Sequence, residues 1–235
     1  MKWPWFLALD VDDPKQALSL AEDLKDHVGG IKIGPRLALR YGQDFLKQIA
    51  EISPLFVDCK FHDIPSTMLA AVQSAFDGGA SYVTVHASAG SEALRELAVL
   101  EGDLNKLRPF KILAVTVLTS FSEETLPSNW KKQSVENHVL NLASDVFSSG
   151  LSGLVCSPHE LTKLRPLYRQ AFLLTPGIRP AGTQEGDQKR VMDVRGAFEA
   201  GSSALVIGRP ILQASDPIKA AKIVNREIED SRKKS

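Results

Sequence analysis

Phe6-Leu7-Ala8-Leu9-Asp10-Val11-Asp12-Asp13-Pro14 is the stretch from which the fold of this chain is read. A short apolar run suits a strand buried on both faces, and such strands belong to parallel sheets covered by helices. The run meets a carboxylate at Asp10. Asp12-Asp13-Pro14 then predicts a helix start, because an Asp side chain satisfies free N–H groups and proline suits the first helical turn. Ala17, Leu20, Ala21 and Leu24 follow at the spacing of a one-faced helix. Gly29-Gly30 closes that helix, and Ile31-Lys32-Ile33 reads as the next strand.

The unit recurs along the chain. Residues 55–60 predict a third strand and 66–76 a helix. Residues 82–86 predict a fourth strand, with a helix over 91–100. Residues 112–118 predict a fifth, with a helix over 135–147. Residues 153–156 predict a sixth, with a short helix over 159–167. Residues 172–174 predict a seventh, with a helix over 194–200. Residues 204–207 predict an eighth, and 217–228 the closing helix. No linker or low-complexity tract divides the sequence, so residues 1–235 are expected to form one α/β domain, a single (β/α)8 TIM barrel. A doubly wound open sheet is the alternative, since local pattern does not encode closure. The polar tail from Arg232 is expected to fray.

Composition narrows the partners. Lys plus Arg and Asp plus Glu number 28 each, for a formal net charge of zero. That balance gives no basic footprint for nucleic acid or an anionic membrane. Hydrophobic residues make up 43% of the chain, enough for a large core, and no apolar run reaches membrane-spanning length. Residues 1–9 are mostly apolar, but Asp10, Asp12 and Asp13 interrupt them before a signal sequence forms, so a cytoplasmic location is expected. Cys59 and Cys156 are the two cysteines, without a C-x-x-C pattern, and read as reduced, buried thiols.

The chemistry is expected at the C-terminal ends of the strands, the rim on which barrel active sites are built. Polar residues gather there: Asp10, Lys32, Asp58 with Lys60, His86, Thr119, Thr175 and Gly208-Arg209. The densest run is Phe56-Val57-Asp58-Cys59-Lys60-Phe61-His62-Asp63-Ile64-Pro65. Strand alternation puts Asp58 and Lys60 on one face and Cys59 on the other. With Asp63 in the following loop, an Asp-Lys-Asp set could hold the Lys60 ammonium between two carboxylates and keep it protonated, a proton donor. His62 reads as a packing residue and His86 as a minor candidate. A second run, 174–188, is rich in glycine and proline and carries Arg179. With Gly208 and Arg209 after strand eight it suits an anion, since phosphate sites in barrels use these two loops. No His, Cys or carboxylate set has metal-ligand spacing, and no metal or cofactor is expected.

These residues resemble those of orotidine 5'-phosphate decarboxylases, in order and over nearly the whole chain. The shared segments are Leu-Asp-Val near the start, Lys32 in Ile-Lys-Ile-Gly, Asp-x-Lys-Phe-His-Asp-Ile-Pro at 58–65, and Thr-Val-Leu-Thr-Ser at 116–120. Pro-Gly-Ile-Arg-Pro at 176–180, Gly-Asp-Gln at 186–188 and Ile-Gly-Arg-Pro at 207–210 complete the set. Cys59 stands where the pattern has Leu, and Ser66 where it usually has Asn. The resemblance implies conversion of orotidine monophosphate to uridine monophosphate and carbon dioxide without a metal or organic cofactor. It implies that Lys32, Asp58, Lys60 and Asp63 form an alternating charge array, with Asp63 reaching the neighbouring subunit's site in a homodimer. Asp10, Lys32 and Thr67 would contact the ribose, and Thr119 and Ser120 the base. Gln188, Gly208, Arg209 and Arg179 would hold the phosphate. The rival readings are a metal-dependent sugar-phosphate decarboxylase or synthase on the same barrel, and a non-catalytic nucleotide-binding barrel.

Overall fold

The computed structural model describes residues 2–180 and 192–233. Eight parallel strands close on one another in chain order: β1 (Trp5–Ala8), β2 (Gly30–Ile33), β3 (Leu55–Phe61), β4 (Ala80–His86), β5 (Lys111–Val115), β6 (Gly153–Val155), β7 (Phe172–Thr175) and β8 (Ala204–Ile207). The helices are α1 (Pro14–Leu24), α2 (Pro35–Ile52), α3 (Pro65–Asp77), α4 (Ser91–Asn105), α5 (Val135–Ser148), α6 (Leu161–Leu167), α7 (Val194–Glu199), α8 (Arg209–Leu212) and α9 (Pro217–Arg232). The sheet is closed by β8 pairing with β1, Trp5 opposite Leu205 and Leu7 opposite Ile207. That pairing removes the open doubly wound alternative.

The first unit forms as its residues dictate. Asp13 caps α1, accepting from the N–H groups of Lys15 and Gln16, and Pro14 opens the helix. Ala17, Ala21 and Leu24 are its buried face. Three strands end earlier than the apolar runs suggest, β1 at Ala8, β5 at Val115 and β6 at Val155, although the N–H groups of Leu9 and Thr116 still donate to the neighbouring strand. The periodicity does not delimit α2: Gly42 adopts φ +69° and breaks it into two shorter runs, with Leu37 and Ala38 buried before the break and Phe45, Leu46 and Ile49 after it. Arg232, expected to fray, ends α9 in helical conformation.

Two separate apolar regions result. The larger lies between strands and helices, where Leu7, Ile31, Ile33, Val57 and Val83 meet the helices' inner faces. The smaller fills the barrel itself: Phe6, Phe56, Leu113, Leu174 and Ala204, with Tyr82, Val155, Phe172 and Val206 packed on them. Phe6 makes edge contacts with Phe56 and Tyr82, at centroid distances of 5.3 and 4.9 Å. Rings this large need small neighbours. A Cβ on Gly30 would lie 2.9 Å from the Phe6 ring and 2.5 Å from the Pro54 carbonyl oxygen. Trp5 Nε1 donates to Asn225 at 2.8 Å, and Asn225 donates to the His27 carbonyl, so β1 is tied to α9 and to the end of the first unit.

Candidate active site

Above the aromatic layer the same strands turn polar. Lys32, on β2, sends its ammonium between two carboxylates, 3.4 Å from Asp10 and 3.4 Å from Asp58. Asp58 and Lys60, on β3, do share a face, and Lys60 Nζ lies 2.8 Å from Asp58 Oδ1. The row Asp10, Lys32, Asp58, Lys60 therefore alternates in sign within one chain. The ammonium held between two carboxylates of this chain belongs to Lys32. Lys60, for which the sequence suggested that place, contacts Asp58 alone among the described carboxylates.

Asp58 is the electrostatic centre. Burial alone would push its carboxyl up. The nearby Lys32 and Lys60 charges, with hydrogen bonds from Lys60 and Thr84, outweigh that and hold it below the usual carboxylate range. Lys60 takes φ +49°, a left-handed conformation uncommon outside glycine and costing about 1–2 kcal/mol. Its N–H donates to Thr84 Oγ1 at 2.9 Å, and that hydroxyl donates to Asp58 Oδ1 at 2.9 Å. Thr84 was not singled out in the sequence. The available signal was a hydroxyl in the otherwise apolar run Val83-Thr84-Val85.

Arg179, four residues beyond the end of β7, and Gly208-Arg209, directly after β8, line the same cavity, Gly208 beside Asp10. Thr119 joins the wall from the loop after β5. The cavity is about 210 Å³, with Phe56, Val155, Leu174 and Val206 among its lining residues. Arg179 and Arg209 thus line one cavity together with Lys32 and Lys60, and the carboxylates among its lining residues are Asp10 and Asp58. The Arg179 N–H donates to the Met192 carbonyl at 2.9 Å.

The remaining expectations separate. Gln188 lies outside the described residues. Asp63, Thr67 and Ser120 are exposed and stand off the cavity wall of their own chain; the Asp63 carboxylate accepts from the Ile64 N–H at 2.7 Å. Thr175 is a packing residue, its hydroxyl 2.8 Å from that of Ser202. His62 and His86 stack at 5.2 Å, and His86 Nδ1 accepts from Ser88. Cys156 is buried, whereas Cys59 is only half-buried, facing the outer core; burial and then the Asp58 charge push its thiol up to about 11. Among the described residues no three His, Cys, Asp or Glu side chains gather as a metal site, and no helix is long and apolar enough to cross a membrane.

Comparison with known proteins gives a consistent set of relatives. Residues 4–224 match the model of the family described as orotidine 5'-phosphate decarboxylase / HUMPS. The orotidine 5'-phosphate decarboxylase of Erythrobacter litoralis is 40% identical over 97% of this chain and 100% of its own length. That of Parasynechococcus marenigrum is 45% identical over 91% of this chain and 89% of its own. The crystal structure of the Lactobacillus acidophilus enzyme of that name superposes with a TM-score of 0.83 at 33% identity, covering 96% of this chain and 98% of the other.

Proposed function

This chain belongs to the orotidine 5'-phosphate decarboxylase / HUMPS family, and from that membership we propose that it decarboxylates orotidine 5'-monophosphate to uridine 5'-monophosphate and carbon dioxide in pyrimidine biosynthesis. The observation that carries the reading is the Lys60–Asp58–Lys32–Asp10 row lining one cavity with two arginines. The C6–carboxylate bond breaks and its electron pair stays on C6. The Lys60 ammonium stabilises that carbanion as it forms and then gives C6 its proton. Asp58 lies where the departing carboxylate is crowded and keeps the Lys60 ammonium in place. Lys32 and Asp10 contact the ribose, Thr119 the base. Arg179, Arg209 and the Gly208 backbone hold the phosphate, with Gln188. Phosphate is remote from the reacting carbon, so its binding energy serves to organise the site rather than to break the bond.

Asp63 fits this reading as a group that reaches the neighbouring subunit's site in a cytoplasmic homodimer, with Thr67 at the ribose and Ser120 at the base. The exposure of Asp63 off the cavity wall of its own chain supports it. Lys60→Ala and Asp63→Ala chains, each inactive alone, should regain activity when subunits exchange, because some mixed dimers carry one intact site. Failure to regain it in a mixture shown to exchange would assign each site to one chain.

The experiment that tests the function is the loss of orotidine monophosphate absorbance with purified protein in the presence of excess chelator. Turnover should persist. Turnover abolished by chelator and restored by magnesium would favour the sugar-phosphate reading, and binding of the nucleotide with no turnover would favour the non-catalytic one.

A further inference from the structure

We propose that Thr84 is a positioning residue for this decarboxylation, its hydroxyl locking Asp58 and Lys60 into one arrangement before substrate arrives; the inference rests on the function proposed above.

The reason begins in the register of β3 and β4. Val57 pairs with Val83, and the next pair is Phe61 with Val85. Residues 58–60 of β3 therefore stand opposite Thr84 alone. Such a bulge re-aims side chains and takes backbone groups out of the ladder. Here a side chain replaces the lost partner. The Lys60 N–H donates to Thr84 Oγ1 at 2.9 Å, in the residue whose φ of +49° most needs holding.

The hydroxyl has one proton. With the Lys60 N–H approaching the oxygen, that proton is directed to Asp58 Oδ1, at 2.9 Å. Lys60 Nζ donates to the same carboxylate oxygen at 2.8 Å. Lys60 N–H, Thr84 hydroxyl, Asp58 carboxylate and Lys60 ammonium thus form a closed ring of hydrogen bonds. The ring fixes the backbone of Lys60 and the rotation of Asp58 together. Asp58 Oδ2 is left toward Lys32 at 3.4 Å. Thr84 is 1% exposed and β-branched on a strand, so its side chain has little freedom to turn away. The Thr84 hydrogen bond also helps hold the Asp58 carboxyl down, after the larger opposing effect of burial and the attractions of the two lysines.

The test compares Thr84→Val, which keeps the shape and loses the oxygen, with Thr84→Ser, which keeps the oxygen. Thr84→Val should lower kcat about 10- to 100-fold, the scale of one hydrogen bond to a charged group, with KM changed by less than about threefold. Thr84→Ser should recover most of kcat. The Asp58 carboxyl carbon, followed by NMR against pH, should titrate at higher pH in Thr84→Val than in the wild type. This readout needs no turnover, so it still decides the role of Thr84 if the wild-type protein proves inactive on orotidine monophosphate, an outcome that would sink the functional reading instead. A Thr84→Val kcat within about threefold of wild type, a serine variant no better than valine, or an unmoved Asp58 titration each overturns the proposal. If Thr84→Val does not fold, Thr84→Ser against Thr84→Ala makes the same comparison.

Discussion

Inside the barrel one layer of side chains is aromatic and the layer above it is charged, and the two are built by the same strands. Phe56 and Asp58 are two residues apart on β3, Tyr82 and Thr84 two apart on β4. Strand alternation points each pair to the same interior. The lower layer has a buried centre: Phe6 and Phe56 are at most 1% exposed and meet edge to face. The upper layer holds two lysines and two carboxylates around an open cavity. The lower layer supplies burial, which favours folding. The upper one gathers charges whose desolvation opposes it. Stability and chemistry are therefore divided by depth along each strand, and substitutions in the two layers should fail in different ways.

The largest effect is expected at Lys60. Lys60→Ala removes both the proton donor and the cation beside the developing carbanion. It should lower kcat well beyond the roughly 10²–10⁴-fold of a lost general acid. Product affinity should fall far less and the melting temperature should barely move. A kcat within tenfold of wild type in folded protein would take Lys60 out of the chemistry.

Phe6→Ala tests the other layer. It empties a fully buried ring position and should cost about 3–5 kcal/mol of stability. In a chain of this length that corresponds to a fall in melting temperature of roughly 6–20 °C. Activity per folded molecule at low temperature should be preserved. An unchanged melting point together with lost kcat would mean that the layers are not separable.

Arg209→Ala sharpens the division within the upper layer itself. Arg209, proposed to bind the anion, and Lys60, proposed to donate the proton, line the same cavity. Loss of Arg209 should cost roughly 2–5 kcal/mol in kcat/KM for the nucleotide, the scale for truncating one partner of a buried charge pair. Slow turnover of the nucleoside without phosphate should hardly change. Equal losses on both substrates would move Arg209 from the grip to the fold or the chemistry.

Much of this division is legible in the sequence, and the limits have physical causes. Short apolar runs, their helix caps and the polar residues at their ends give the barrel and most of its rim, because periodicity and capping are local. Closure is not local; it rests on the β1–β8 pairing of residues some two hundred positions apart, as Trp5 opposite Leu205 shows. The break at Gly42 hides α2 for the opposite reason, since it interrupts an otherwise readable period. Within the site, alternation correctly placed Asp58 and Lys60 on one face. It did not anticipate the bulge that brings Thr84 under both of them, because a bulge depends on the partner strand. Nor did spacing reveal that Lys32, rather than Lys60, bridges two carboxylates of its own chain: Asp10 follows β1 and Asp58 lies on β3, and they flank Lys32 only when both strands pair with β2.

The smallest effect is expected just outside the charged layer, at His86, where the comparison can be refined by pH. His86 ends β4 two residues beyond Thr84, stacks on His62 and accepts from Ser88 at Nδ1. Burial, then the facing His62 and the nearby Lys60 charge, push its imidazole down to about 4 from its ordinary 6.5. The neutral ring is therefore favoured in the folded state relative to the unfolded chain. Its contribution to stability is present in full above about pH 6.5 and is lost as pH falls toward 4, where the folded protein also takes up the proton. Below that the difference between the two states is constant. Asp58, whose carboxyl is held below the usual 3.8, contributes in the same direction but only at lower pH. Denaturant midpoints measured from pH 7 to pH 5 should fall in the wild type and fall less in His86→Asn, which keeps an acceptor for Ser88 and cannot titrate. An identical slope in both proteins would show that His86 keeps its ordinary affinity for the proton in the folded barrel, and that the acid sensitivity arises elsewhere.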